Sequence, residues 1–288
     1  GFYNSNDTFI YIAIRRGPMK VPTDGTKVFA PVTYLGTGAA LTLNAGFPVD
    51  LAINKERSLL GGGSSNFFDR LRGPLLYIQS NSTNAEGSMT NSVSGFDSMT
   101  GVSVGISANV NYSGQNYIDW AFRRAPGFFD VVCITGPATT VYHNLGVAPE
   151  LCIFKCRNSA SYWPVQLPSL YLRLNTTDAN LGTPFVTNFG ASSLTVDVGS
   201  FSSGETWVGY LFASCPGVSK VGSYTGNGSS QTINCGFAAG ARFILIKRTD
   251  NTGDWYVWDT ARGIVSANDP HLSLNTTAAE VTGDDSID

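Results

Sequence analysis

Acidic and basic side chains three positions apart occur twice in matching surroundings. Trp258-Asp259-Thr260-Ala261-Arg262-Gly263 matches Phe68-Asp69-Arg70-Leu71-Arg72-Gly73. Asp and Arg at that spacing meet across one helical turn and can form a hydrogen-bonded ion pair. Asp259 is therefore a candidate catalytic carboxylate or one half of a structural pair. The equivalent stretch Val165-Gln166-Leu167-Pro168-Ser169 keeps neither charge. Loss from one copy favours structure, because a structural pair is dispensable where a catalytic acid is not.

Aromatic rings are the next candidates, since rings stack on sugar faces. Trp255, Tyr256, Trp258 and Trp163 are the candidates for glycan contact. On a strand, Trp255 and Val257 point one way while Tyr256 and Trp258 point the other, so one of the two faces is core. The two histidines, His143 and His271, sit at unrelated points with no motif around them and read as surface or turn residues. Catalytic, cofactor and metal residues are assigned to none of the positions, because no cluster shows ligand spacing. Asp284-Asp285 reads as a solvated loop, and Gly61-Gly62-Gly63 lacks the Gly-Lys-Ser/Thr ending of a phosphate loop. Cys133, Cys152, Cys156, Cys215 and Cys235 are an odd, sparse set, read as small buried thiols and not a disulfide framework. Asn-x-Ser/Thr triplets at Asn6, Asn81, Asn111, Asn175, Asn227 and Asn275 arise by chance in so Ser/Thr/Asn-rich a chain.

Only 14% of the residues are charged while 42% are hydrophobic, which predicts a packed core and neutral polar surfaces. The net charge of −3, without a basic run, argues against nucleic acid, and no apolar run is long enough for membrane insertion. Arg15-Arg16 and Arg123-Arg124 are isolated doublets at expected strand ends. The opening Gly-Phe-Tyr-Asn shows no signal peptide.

What must position the candidates is a repeat. Residues 37–55, 135–155 and 225–247 each run from a Thr-Gly turn through an alternating strand and an Asn-x-Gly turn to a second strand ending in Lys. Leu172-Arg173-Leu174-Asn175-Thr176-Thr177 matches Leu272-Ser273-Leu274-Asn275-Thr276-Thr277, with residues 77–84 a weaker copy. Residues 8–14, 116–122 and 206–212 share a closing-strand pattern. The period of about 90 to 100 residues suits tandem small domains. The predicted fold is all-β, with β-sandwich-like repeat domains of about six to eight strands each. Residues 1–20 are assigned to the closing strand of a preceding repeat, 21–126 to the first unit, 127–217 to the second and 218–288 to an incomplete third. The phase suggests a window from a longer array. Strands are expected at 41–43, 102–104, 193–198 and 207–212. Phe243-Ile244-Leu245-Ile246 reads as a central strand covered on both faces, and short helical turns are expected at 68–72 and 258–262.

Residues 222–237, 243–249, 255–263 and 274–278, together with 11–20, resemble a repeat domain of tail and virion structural proteins of marine tailed bacteriophages. The third unit matches most closely. That resemblance implies a virion location after synthesis in the bacterial cytoplasm, and a tail-fibre or appendage role in assembly and host attachment. It further implies no enzyme activity and partners that are other virion proteins and copies of itself, as a homotrimer. A lectin-like module contacting host surface glycan and a capsid decoration protein are the alternatives. A glycan-cleaving depolymerase, which needs two facing carboxylates, ranks last.

Overall fold

A computed structural model of the chain describes residues 20–58, 63–264, 268–284 and 286–287. The expected strand at 8–14, Arg15-Arg16, the start of the Gly61 turn, Asn6 and Asp285 lie outside those residues. The described chain is nearly all β. The first stretch carries β1 (Phe29–Leu35), β2 (Leu41–Asn44), β3 (Leu51–Glu56), β4 (Asn66–Asp69), β5 (Leu76–Gln79), β6 (Gly87–Ser88), β7 (Val93–Gly95), β8 (Gly101–Val104) and β9 (Asn116–Phe122), with one helical turn, α1 (Ala108–Asn111), before β9. The second carries β10 (Phe129–Thr135), β11 (Thr140–Tyr142), β12 (Leu151–Cys156), β13 (Pro164–Leu167), β14 (Leu170–Arg173), β15 (Val186–Phe189), β16 (Ser193–Val196) and β17 (Thr206–Phe212). The third carries β18 (Phe243–Lys247), β19 (Trp255–Asp259) and β20 (Leu272–Ser273).

Two antiparallel sheets form in each of the first two units. Their large sheets run β1-β9-β3-β4-β5-β6 and β10-β17-β12-β13-β14, and their small sheets β2-β8-β7 and β11-β16-β15. Among the described residues the third unit has the single sheet β18-β19-β20. Matching strands pair in matching register: Ile53 lies opposite Phe67, Ile153 opposite Val165 and Leu245 opposite Val257. The closing strands β9 and β17 place Trp120 against Ile53 and Tyr210 against Ile153.

Alternation explains how each large sheet serves two cores. Ala52, Phe68 and Ala121 face the small sheet and form a sandwich core with Phe47, Val102 and Val104. In the second unit Cys152, Phe154 and Leu211 do the same with Val141 and Leu194. The opposite faces converge on one central core, where Ile53 and Trp120 of the first unit meet Ile153 and Tyr210 of the second and Val257 and Leu272 of the third. The Asn-x-Gly turns at Asn44 and Asn234 are Asx turns. The N–H groups of Gly46 and Gly236 donate to Asn44 Oδ1 at 3.0 Å and Asn234 Oδ1 at 2.8 Å, with both glycines at positive φ, where a Cβ is disfavoured.

Most expected strands are found, with 193–198 ending at Val196. The turns at 68–72 and 258–262 are tight turns after β4 and β19, without a helix. In the first, Gly73 N–H closes on Asp69 O at 3.2 Å. β18 differs from expectation. All five of its residues are half-buried, and among the described residues it pairs only with β19. Of the cysteines, Cys152, Cys156 and Cys215 are buried thiols, but Cys133 is exposed and Cys235 half-buried, because β10 turns Cys133 outward between buried Val132 and Ile134.

Burial of Asp119 gives a first prediction. Its carboxyl is fully buried in the first sandwich, where Asn54 Nδ2 approaches Oδ2 at 3.4 Å. Burial, partly offset by Asn54, pushes its pKa up to about 7. Between about pH 4 and pH 7 the folded state then holds a proton that the unfolded state has released, so stability falls as pH rises through that window. Asp119→Asn is expected to flatten that fall and to raise stability at pH 8 by about 1 to 3 kcal/mol. Urea unfolding of both proteins at pH 5 and pH 8 checks it.

Candidate functional site

The side chains singled out in the sequence meet in two places, a seam between units and a cleft over the third. In the seam, the lysine ending each second strand crosses to the unit before it, the first unit's lysine reaching the third. Lys55 Nζ donates to Thr276 O at 2.8 Å, Lys155 Nζ to Thr83 O at 3.0 Å and Lys247 Nζ to Thr177 O at 3.2 Å. Burial lowers the pKa of Lys55 and of Lys155 to about 8. Backbone follows the same path, with Glu280 N donating to Arg57 O, Glu86 N to Arg157 O and Asn180 N to Thr249 O. The first unit thus holds the third, the second holds the first and the third holds the second, so the contacts close a ring.

Trp163 and Trp255 belong to this seam. Trp163 Nε1 donates to Gln79 O at 2.9 Å and Ser82 O at 3.1 Å, and Trp255 Nε1 to Arg173 O at 2.9 Å. Both indoles are buried in the central core and keep no face free for a sugar, which corrects the expectation of glycan contact at these two positions. The recurring asparagine fixes them: Asn175 Oδ1 accepts from Trp163 N and Asn275 Oδ1 from Trp255 N, each at 2.9 Å.

The Asp–Arg pairs also lie in the seam. Arg262 Nε donates to Asp259 Oδ2 at 2.6 Å, and both side chains have no exposure. Trp120 Nε1 from the first unit reaches the same oxygen at 2.8 Å. Arg72 pairs with Asp69 in the same way, and there Tyr210 Oη of the second unit donates to Asp69 Oδ2 at 2.9 Å. The neighbouring carboxylate, tyrosine and Glu86 keep Arg72 charged despite its burial. Asp259 and Asp69 spend their lone pairs on these donors, and neither side chain is exposed.

The cleft is lined by Tyr224, Ile246, Tyr256, Trp258, His271 and Asp284, with a volume of about 370 Å³. Tyr256, Trp258 and His271 form an aromatic trio with ring centroids 5.2 to 5.9 Å apart. Asp284 Oδ2 lies 3.3 Å from His271 Nδ1, and burial lowers the histidine pKa. Trp258 Nε1 is buried with no hydrogen-bond partner among the described residues. The first two units carry their small sheets on this same face. His143 sits instead in a turn, its Nε2 3.2 Å from Gly190 O and its Nδ1 accepting from Leu145 N at 3.3 Å, a neutral structural residue. Among the described residues, no group of His, Cys, Asp or Glu is placed to hold a metal ion. No helix there is long and apolar enough to cross a membrane, which leaves open a crossing by strands.

The family described as Domain of unknown function (DUF7483) matches residues 24–288, across all three units. The chain belongs to the DUF7483 family. No curated protein and no solved structure matches it. The match runs once through the three interlocked units, so the DUF7483 region here coincides with the ring and not with a single sandwich. The seam is the feature that sequence reasoning missed. Its signal was present in the DUF7483 chain as the lysine and the Asn-Thr-Thr triplet that recur between apolar positions.

Proposed function

We propose that this DUF7483 chain is a bacteriophage virion structural protein, a module of a tail fibre or similar appendage that contributes to assembly and host attachment. The observation that supports it is the seam. Buried lysines, tryptophans and Asp–Arg pairs are committed to neighbouring units and not to a reactive cleft, which suits a rigid, protease-resistant part. The low charge suits surfaces covered by other virion proteins. In this reading the protein is made in the bacterial cytoplasm and resides in the particle as a homotrimer.

Antibody raised against the chain is expected to label the tails of purified particles under the electron microscope. Label on the head instead would make it a capsid decoration protein, and absence of its peptides from purified particles by mass spectrometry would overturn a virion role. Light scattering of the purified chain tests the homotrimer, which a monomeric mass would remove.

The cleft favours a second reading, a lectin-like contact with host surface glycan. It joins half-buried Tyr256 to the acidic side chain of Asp284, with buried Trp258 beneath, an aromatic surface flanked by a polar group of the kind that sugars use. Glycan-array binding that is lost in Tyr256→Ala would support it, and a blank array would remove it.

A further inference from the structure

In a ring of three units, the departure of any one unit opens two seams and spares the third. The three seams here are not alike. Backbone bonds mark their equivalent places: Glu86 N donates to Arg157 O between the first and second units, Glu280 N to Arg57 O between the first and third, and Asn180 N to Thr249 O between the second and third. At the first two places the side chains form bidentate pairs, Arg157 on Glu86 and Arg57 on Glu280, at 2.7 to 3.1 Å. Each glutamate also takes a buried arginine, Arg72 or Arg262, which is paired in turn with Asp69 or Asp259. At the third place Thr249, Asn180, Leu170 and Leu167 stand where those four charges stand.

We propose that the first unit is a docked module that leaves the ring as one body, opening both charged seams together while the second and third units stay joined. The first unit alone is bordered by these charged networks on both sides, through Arg57 toward the third unit and through Glu86 toward the second. Departure of the second or the third unit would instead break one charged seam and the neutral one.

Water distinguishes the two kinds of seam. Ions taken into a dry interface regain their hydration when it opens. A buried ion pair therefore holds an interface shut no better than apolar side chains of similar volume, and often less well. Leucine gains nothing from water, and Leu167 packs against the central core. Interfaces that open and close are for the same reason more polar than permanent ones. The lysines point the same way. Lys55 and Lys155 cross the two charged seams buried, and burial lowers their pKa to about 8, whereas Lys247, crossing the neutral seam, is half-buried. Departure of the first unit rehydrates both buried amines.

The first unit is built to stay folded when it leaves. Its sandwich core, which includes Phe47, Phe68 and Val104, is made of its own residues alone. Its link to the second unit is the turn Arg124-Ala125-Pro126-Gly127, with Gly127 at a φ of 74°. Departure bares Ile53, Trp120 and Phe122 on the central core, so the open form is a minor state reached from the closed one.

Hydrogen exchange of the unmodified full chain reads the three seams through matched backbone donors. Glu86 N and Ser161 N cross between the first and second units, Glu280 N between the first and third, and Asn180 N and Gly253 N between the second and third. Corrected for intrinsic rates, Glu86, Ser161 and Glu280 are expected to share one protection factor, at least about tenfold below that of Asn180 and Gly253. Exchange of Asn180 and Gly253 as fast as the other three would overturn the proposal, and so would exchange of Glu280 at a rate unrelated to that of Glu86 and Ser161. Amine acylation of the same chain to low extent, mapped by peptide mass, is the second test. Lys55 and Lys155 lie in different seams, yet they are expected to be labelled slowly and in step, because one motion bares both. Rates more than about fivefold apart would mean separate openings and would defeat departure as one body.

Discussion

Asp259→Ala is expected to destabilise the fold by about 3 to 5 kcal/mol, because it strands a buried charge instead of merely deleting a contact. Asp259 accepts four hydrogen bonds: from the backbone of Ala261 and Arg262, from Arg262 Nε and from Trp120 Nε1. Without the carboxylate, the unexposed Arg262 keeps Glu280 and the Val257 carbonyl, while its Nε and the Trp120 indole lose their acceptor. Guanidinium unfolding measures the loss. Asp259→Ala combined with Arg262→Met is expected to recover part of it, since the second change removes the stranded charge. The second unit already shows that outcome in the natural sequence, with Leu167 and Leu170 at the two places. A double variant no more stable than the single one would mean that the arginine is held well enough by Glu280, and that the lost term is the contact with Trp120.

Much of the β architecture was legible because period-two alternation and Asn-x-Gly turns act locally. β2, β8 and β17 fall where their side chains alternate, and the Asx geometry at Asn44 and Asn234 follows from residue type alone. Alternation assigns a residue to a face without saying what that face meets. Trp255 and Trp258 were correctly placed on opposite faces of one strand, but a single sandwich offers only one core. Here the Trp255 face enters the core shared by three units, and the Trp258 face lines the cleft. The lysines illustrate the same limit. A lysine at a strand end reads as a solvated terminus, and only the approach of the Thr276 and Thr83 carbonyls from other units makes it a buried donor. Such contacts join residues more than seventy or two hundred positions apart, a separation that local pattern does not encode.

Trp163→Ala is expected to cost a similar 3 to 5 kcal/mol, and it separates the seam from the sandwich cores. The indole is fully buried between Phe67 of the first unit, at a ring separation of 5.1 Å, and the second unit's own large sheet. Alanine would open a cavity, leave the Ser82 carbonyl without the indole donor and leave the Gln79 carbonyl with the Ser82 N–H at 3.2 Å in place of the shorter indole bond. Trp163→Phe keeps most of the volume and loses the N–H with part of the fused ring, so it is expected to cost about 1 to 3 kcal/mol, less than the alanine change. Hydrogen exchange locates the damage. Amides of β13 and of residues 79–83, on the two sides of the seam, are expected to lose protection first, while β11 and β16 in the second sandwich core retain it. Uniform loss across β11 and β16 would mean that the second unit has no stability of its own apart from the ring. The three units would then fold as one cooperative body, and the seam would hold the molecule together more than any single sandwich does.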